Sequence, residues 1–252
     1  YTLTGGIPKY VELFCDNQAL TVDKMYDFVF SENSLFIDEG RNLLITEFGK
    51  NYGTYFSILS EIANGHYTQG EIESALGGTA IGGYLSKLEN VYHLITRERP
   101  IFAKPGTKKN VRYMIGDNFL NFWFKYIEQN RSYIELQNFD DLRQLAKADY
   151  PTYSGRVLEK YFKQKLAETG GYKEIGSWWE TKSSIGKQRI NSYEIDIVAL
   201  KSSGRKALIA EVKRNPENNY NHTVFMEKVE HLKQKEMAKY DIEIQVLGLK
   251  DM

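Results

Sequence analysis

The sequence predicts a multidomain chain of mixed class, α+β in its amino-terminal part and α/β in its carboxy-terminal part. Three observations carry this expectation. Apolar residues recur at helical spacing through the first half, as in Tyr10, Leu13 and Phe14 and again in Met25, Tyr26, Val29 and Phe30. Short apolar runs rich in strand formers, separated by Gly, Ser and Asn, dominate from residue 170 onward. Between the two textures stands Tyr150-Pro151, and a residue before proline is steered away from helical backbone.

Composition sets the outer bounds. Of 252 residues, 42% are hydrophobic and 26% charged, the balance of a folded globular protein rather than a disordered chain. The 33 Lys and Arg equal the 33 Asp and Glu, which excludes a uniformly basic nucleic-acid coat and leaves room for a local basic patch. The one cysteine, Cys15, excludes a disulfide scaffold and a multi-cysteine zinc site, and fits a reducing cytoplasm. No apolar run approaches the ~20 residues that span a bilayer, so no membrane partner is expected, and no signal peptide is present. The chain opens on Tyr1 and runs at once into Gly5-Gly6-Ile7-Pro8, so it reads as a fragment that begins inside a larger protein.

Residues 1–46 are expected to form short helices, with Pro8 at the first position of one. A piece this small buries little core alone and should pack on something else. Residues 47–116 read as three helices and a hairpin. The first helix carries Tyr55, Ile58, Leu59 and Ile62 and stops at Asn64-Gly65. Thr68 then precedes Glu71 by three, a capping box that opens a short second helix ending at Gly77-Gly78. The third helix carries Ile81, Tyr84, Leu85 and Leu88. Strand-forming Tyr92, Leu94 and Thr96, the turn Lys104-Pro105-Gly106 and a return strand over 111–115 close the unit. Three helices followed by a two-stranded wing is the winged-helix order, a variant of helix-turn-helix.

The third helix offers few basic side chains, chiefly Lys87. The wing is richer, and Arg97, Arg99, Lys104, Lys108, Lys109 and Arg112 suit phosphate contacts. Nucleic-acid binding, with Arg97, Arg99, Lys108 and Lys109 as its residues, and a protein-contact role both stay open for this unit. Residues 117–150 hold an aromatic helix, Phe119 to Ile127, apolar on more than one face and therefore expected as a buried linker. Residues 151–252 read as a helix over 155–167, strands over 175–179, 193–200 and 207–212, a charged helix over 224–237 and a last strand over 242–247, which is an α/β order.

The chemistry concentrates in this last domain. Asp196 stands in Glu194-Ile195-Asp196-Ile197-Val198-Ala199-Leu200, and strand alternation puts Glu194, Asp196 and Val198 on one face. A carboxylate amid so apolar a strand is costly to bury unless a cation or a hydrogen-bond donor meets it. The next strand places Glu211 and Lys213 two apart, and a hairpin through Ser202-Ser203-Gly204 would bring them to Asp196. Two carboxylates suit Mg²⁺ or Mn²⁺ rather than zinc, and a lysine beside them can orient water and stabilise a charged phosphate. Such a set runs metal-assisted phosphodiester hydrolysis. Glu159, in the preceding helix, supplies a fourth candidate.

An acid in a helix, then Asp, then Glu-x-Lys on the next strand resembles the PD-(D/E)XK nuclease superfamily, here as Glu159, Ile195-Asp196 and Glu211-Val212-Lys213. Ile195 replaces the superfamily's proline. The resemblance implies a restriction-endonuclease-like α/β fold in which Asp196 and Glu211 bind metal and the Val212 carbonyl adds a ligand. It also implies that Lys213 positions the attacking water and that Glu159 supports the metal or its water. A second resemblance covers nearly the whole chain. Gly5-Gly6-Ile7-Pro8-Lys9-Tyr10, the winged-helix stretch, the segment from Tyr113 to Phe124 and the carboxylate motif together resemble the carboxy-terminal part of archaeal-type AAA ATPases. There the Gly-Gly-Ile-Pro segment closes the ATPase domain and a nuclease-like domain ends the chain. No Gly-x-x-x-x-Gly-Lys-[Ser/Thr] loop is present, so the resemblance implies that the ATP-binding domain precedes Tyr1 and is the missing partner.

Two functions follow as expectations: a divalent-metal nuclease acting on DNA, or the same domains binding nucleic acid or a partner without cutting it. Trp178-Trp179 is better suited to the core than to base stacking. Lys228, Lys233, Lys235 and Lys239 are mixed with Glu227, Glu230 and Glu236, the pattern of an exposed helix, although Gln234 stands where it could meet the site. His66, His93, His222 and His231 lack metal-ligand spacing and are expected in loops, and Cys15 is expected to be packed.

Overall fold

The computed structural model describes residues 1–104, 106, 110–180 and 193–252. The chain gathers into two compact units, one of Tyr1–Arg97 with Arg112–Tyr150, the other of Glu98–Val111 with Pro151–Met252. It is a mixed α/β protein, and among the described residues no helix is long and apolar enough to cross a membrane.

The first unit begins with helices α1 (Pro8–Asp16), α2 (Val22–Val29) and α3 (Phe36–Phe48). Pro8 opens α1, where its missing N–H has no helical partner to lose, and the Thr21 hydroxyl caps α2 by accepting from Lys24 N–H. The boundary expected at residue 46 lies inside α3. Next come α4 (Tyr52–Ala63), α5 (Gln69–Ala75) and α6 (Gly82–Asn90). Thr68 and Glu71 form the capping box of α5 reciprocally.

Strands β1 (Ile95–Glu98) and β2 (Arg112–Ile115) pair as a two-stranded sheet. The first strand starts later than expected because Tyr92 and Leu94 still bond back to α6, at Lys87 and Leu88, through a left-handed His93. The aromatic segment follows as α7 (Asn118–Phe122), a π-turn over Trp123–Ile127, and then α8 (Arg131–Glu135). Phe119, Phe122, Trp123, Phe124 and Tyr126 are all buried within this unit. Trp123 donates its indole N–H to the Ile37 carbonyl at 3.0 Å and lies over Gly40, where a Cβ would stand 2.3 Å from the ring. Only glycine admits that approach.

Helix α9 (Phe139–Thr169) runs through Pro151 without a break, against the expected interruption. Proline removes one helical hydrogen bond, a cost of about 3 kcal/mol. Burial on both sides offsets it, with Leu142 and Ala146 in the first unit and Val157, Leu158 and Phe162 in the second.

The second unit is a four-stranded sheet of order β3 (Tyr172–Glu180), β4 (Tyr193–Lys201), β5 (Lys206–Val212) and β6 (Asp241–Leu247). The first two pairings are antiparallel and β5 with β6 is parallel. Between β5 and β6 lie the short α10 (Pro216–Asn219) and α11 (His222–Glu236). A parallel pairing needs such a crossover. The two central strands are covered on both faces, which is why Ile195–Leu200 and Ala207–Ala210 are almost continuously apolar. On one face Val198, Leu200 and Ile209 pack with Phe225, Val229 and Leu232 of α11, and on the other Ile197, Ala210 and Val212 pack with Leu158 and Phe162 of α9.

Part of the span read as the wing between Tyr92 and Tyr113 packs into the core of the second unit. Ile101 is buried in the α11-side cluster and donates its N–H to the Ser177 carbonyl at 2.8 Å. Apolar Pro100-Ile101-Phe102 supplies the driving force.

Candidate functional site

The site begins with a fault in the sheet. Gly176 pairs with Val198 and Trp178 with Ile195, so the single residue Ser177 opposes both Asp196 and Ile197. This is a β-bulge, a device that re-aims a side chain. It corrects the expectation that Glu194, Asp196 and Val198 share one face by simple alternation. Ile195 and Val198 both pack on the α11 side, whereas Ile197 packs on the α9 side. Ser177 secures the bulge: its hydroxyl donates to the Asp196 carbonyl at 2.9 Å and accepts from Lys163 Nζ of α9 at 2.6 Å.

The paired register of β4 and β5 ends at Ile197 with Ala210, one step before Asp196 and Glu211 would face each other. There the Asp196 side chain takes over, its Oδ2 accepting the Val212 backbone N–H at 2.8 Å. Lys213 Nζ sits 2.8 Å from Glu211 Oε1 and 4.0 Å from Asp196 Oδ2, so one ammonium serves both carboxylates. Lys228 Nζ of α11 approaches the same Glu211 Oε1 to 3.6 Å. Glu211 is only 6% exposed, and its other oxygen, Oε2, is buried and has no hydrogen-bond partner among the described residues.

The electrostatics follow from burial and crowding. Burial, then the Glu211 charge, push the Asp196 carboxyl up to about 6, against the pull of the Val212 N–H and of Lys213 and Lys228. Burial, then the Asp196 charge, push Glu159 up to about 8, with Lys163 and Lys213 opposing and Glu194 adding to the rise. Burial works against the Lys213 ammonium, but its hydrogen bond to Glu211 and the fields of Asp196, Glu211 and Glu159 outweigh it and hold the group above its ordinary value. Tyr220 is raised by burial and by Glu211.

Among the described residues, no three His, Cys, Asp or Glu side chains are arranged to hold a metal ion. Asp196 and Glu211 are a pair of hard oxygen donors, and an unpartnered buried carboxylate oxygen is what a cation would satisfy. Mg²⁺ is commonly held by one or two carboxylates while keeping several waters, so a two-carboxylate site fits it.

Asp196, Glu211 and Lys213 thus stand together, with Glu159 close enough to feel Asp196 and Lys213. The nucleic-acid candidates are reached only in part by the described residues. Arg97 belongs to the first unit and pairs with Glu89 at 3.1 Å, Arg99 belongs to the second and is half-buried, and Lys108 and Lys109 lie outside the described residues. Trp178 and Trp179 are buried. Gln234 bonds Glu230 on its own helix. Cys15 is exposed rather than packed, because α1 turns Tyr10 and Phe14 inward instead. His222 and His231 lie on α11 rather than in loops, and His231 pairs with Glu180 at 2.8 Å.

Sequence reasoning missed Lys228 and Ser177 as parts of the site. Lys228 carried a signal: it stands three residues after Phe225 and directly before Val229, beside the buried stripe of α11 rather than on its outer face. Ser177 carried none, since a bulge depends on which strand lies opposite.

Residues 123–236, which include every member of this cluster, match the family described as "Archaea bacterial proteins of unknown function". No solved structure matches the chain. The chain is similar to the uncharacterized protein MJECL04 of Methanocaldococcus jannaschii, 38% identical over 226 residues, which is 84% of this chain and 46% of that protein, so it spans about half the length of the relative it matches.

Proposed function

We propose that the second unit is a PD-(D/E)XK nuclease-like domain that hydrolyses phosphodiester bonds of DNA with Mg²⁺ or Mn²⁺. The reading rests above all on Glu211, a buried carboxylate with one oxygen on Lys213 and the other without a partner among the described residues, standing beside Asp196. Asp196 and Glu211 would hold the cation. Bound there, it would act as a Lewis acid on the phosphate and on an attacking water. Lys213 positions that water and balances charge on the phosphate. Glu159, whose carboxyl is raised by burial and then by the Asp196 charge, would support the cation or its water. The helix–helix–helix–hairpin order of the first unit supports a winged helix that would present DNA or a partner. We place the whole within a longer cytoplasmic AAA-type ATPase whose own domain binds ATP.

The test is hydrolysis of single- and double-stranded DNA with Mg²⁺ or Mn²⁺, in this chain and in the full-length protein with ATP. Lys213→Ala and Asp196→Asn should each abolish cleavage while the circular dichroism spectrum stays that of the folded protein. Equal activity in wild type and both variants refutes the assignment.

One observation favours a second reading, a binding module that does not cut: two lysines already stand against Glu211, which is how a site that has lost its cation would balance its charge. Inactivity of the full-length protein on every DNA class, with retained binding, would select it.

A further inference from the structure

Glu211 holds its two lysines differently. Lys213 makes a hydrogen bond at 2.8 Å, whereas Lys228 stands at 3.6 Å, beyond hydrogen-bond reach and held by charge alone. Lys228 projects from the buried side of α11 and is 22% exposed, so its ammonium is tucked against the site instead of extending into water. Its charge is also felt by Asp196. A cation bound to the free Oε2 of Glu211 would therefore arrive next to a resident ammonium with like charge.

We infer that Lys228 is a resident counter-cation of this site: it competes with an incoming dication for Glu211 and, once displaced, turns to an anionic phosphodiester. The inference rests on the proposed metal site and adds its regulation. Metal affinity in the free protein is held down by Lys228, and metal and phosphodiester bind cooperatively, because the anion takes up the charge that the metal displaces. By linkage, each then raises the affinity of the other by the same factor.

The test is calorimetric titration of the chain with Mn²⁺ alone, without nucleic acid. Lys228→Met keeps the apolar stem and removes the charge. It should bind Mn²⁺ about tenfold more tightly than wild type, about 1.4 kcal/mol. Repulsion between charges a few ångströms apart at an effective dielectric near ~20 readily supplies that much. The same variant should bind a single-stranded oligothymidylate more weakly in Ca²⁺, which supports binding without hydrolysis. Lys228→Arg should track wild type in both titrations, and Lys228→Gln should repeat the Met result. A purely structural role for Lys228 would weaken both affinities or leave both unchanged, and either result overturns the inference. If Asp196→Asn abolishes Mn²⁺ binding in wild type yet Lys228→Met does not tighten it, the inference fails while the metal site stands. If neither wild type nor Lys228→Met binds Mn²⁺, both fall.

Discussion

Replacing Asp196 by Asn should stabilise the metal-free protein near neutral pH and leave it no more stable in acid. The unfolded chain holds this carboxyl at its ordinary 3.8, while the folded protein holds it at about 6. Between those values the folded state carries the extra proton, so the free energy of unfolding falls as pH rises through the window. A shift of that size corresponds to about 3 kcal/mol, at 1.36 kcal/mol per unit. The side chain is 15% exposed, so solvent screening reduces the figure only modestly. Asparagine keeps an oxygen for the Val212 N–H and removes the repulsion from Glu211 and towards Glu159. Above the window, in chelator, Asp196→Asn should therefore exceed wild type by up to about 3 kcal/mol, and below it the advantage should vanish. Glu159, raised to about 8, extends the wild-type decline to higher pH with the same sign. Urea unfolding across the window, followed in chelator and again with Mn²⁺, provides the measurement. With Mn²⁺ only wild type should gain stability. A variant less stable than wild type at neutral pH in chelator, or a difference that does not change with pH, refutes the reasoning.

Two further outcomes can be checked directly. Gly40→Ala places a methyl 2.3 Å from the Trp123 ring, so it should lower stability by about 1–3 kcal/mol through overpacking, and an unchanged melting temperature would show that the α3–Trp123 contact is looser than described. Joint neutralisation of Arg97, Arg99, Lys108 and Lys109 should weaken DNA binding and flatten its salt dependence, and unchanged affinity would assign this segment to protein contacts.

Local chemistry was legible in the sequence, and distant pairing was not. The cap of α5 is written in Thr68 and Glu71 three residues apart, and Pro8 marks the start of α1 because its missing N–H has no helical bond to lose there. The meeting of Asp196, Glu211 and Lys213 was legible because a short turn joins their strands. What brings Asp196 into position was not: the bulge exists only where Ser177 lies across from Asp196 and Ile197, and β3 is separated from β4 by residues 181–192. Pro151 stands where the two units divide but does not end the helix, for a related reason. Its local preference is to end a helix, and the apolar contacts that override it come from residues a turn or more away on either side.

The turn between β4 and β5, residues 202–205, gives the two carboxylates a kinetic consequence. Asp196 and Glu211 sit at the open end of an antiparallel pair closed by this four-residue link, whereas β6 reaches β5 only after the whole of α11. Hairpins close on the microsecond scale, well before a long parallel crossover is complete. The like charges therefore meet at an early step, when little else of the sheet is in place to hold them. Asp196→Asn should therefore speed folding more than it slows unfolding, which stopped-flow kinetics in chelator would show.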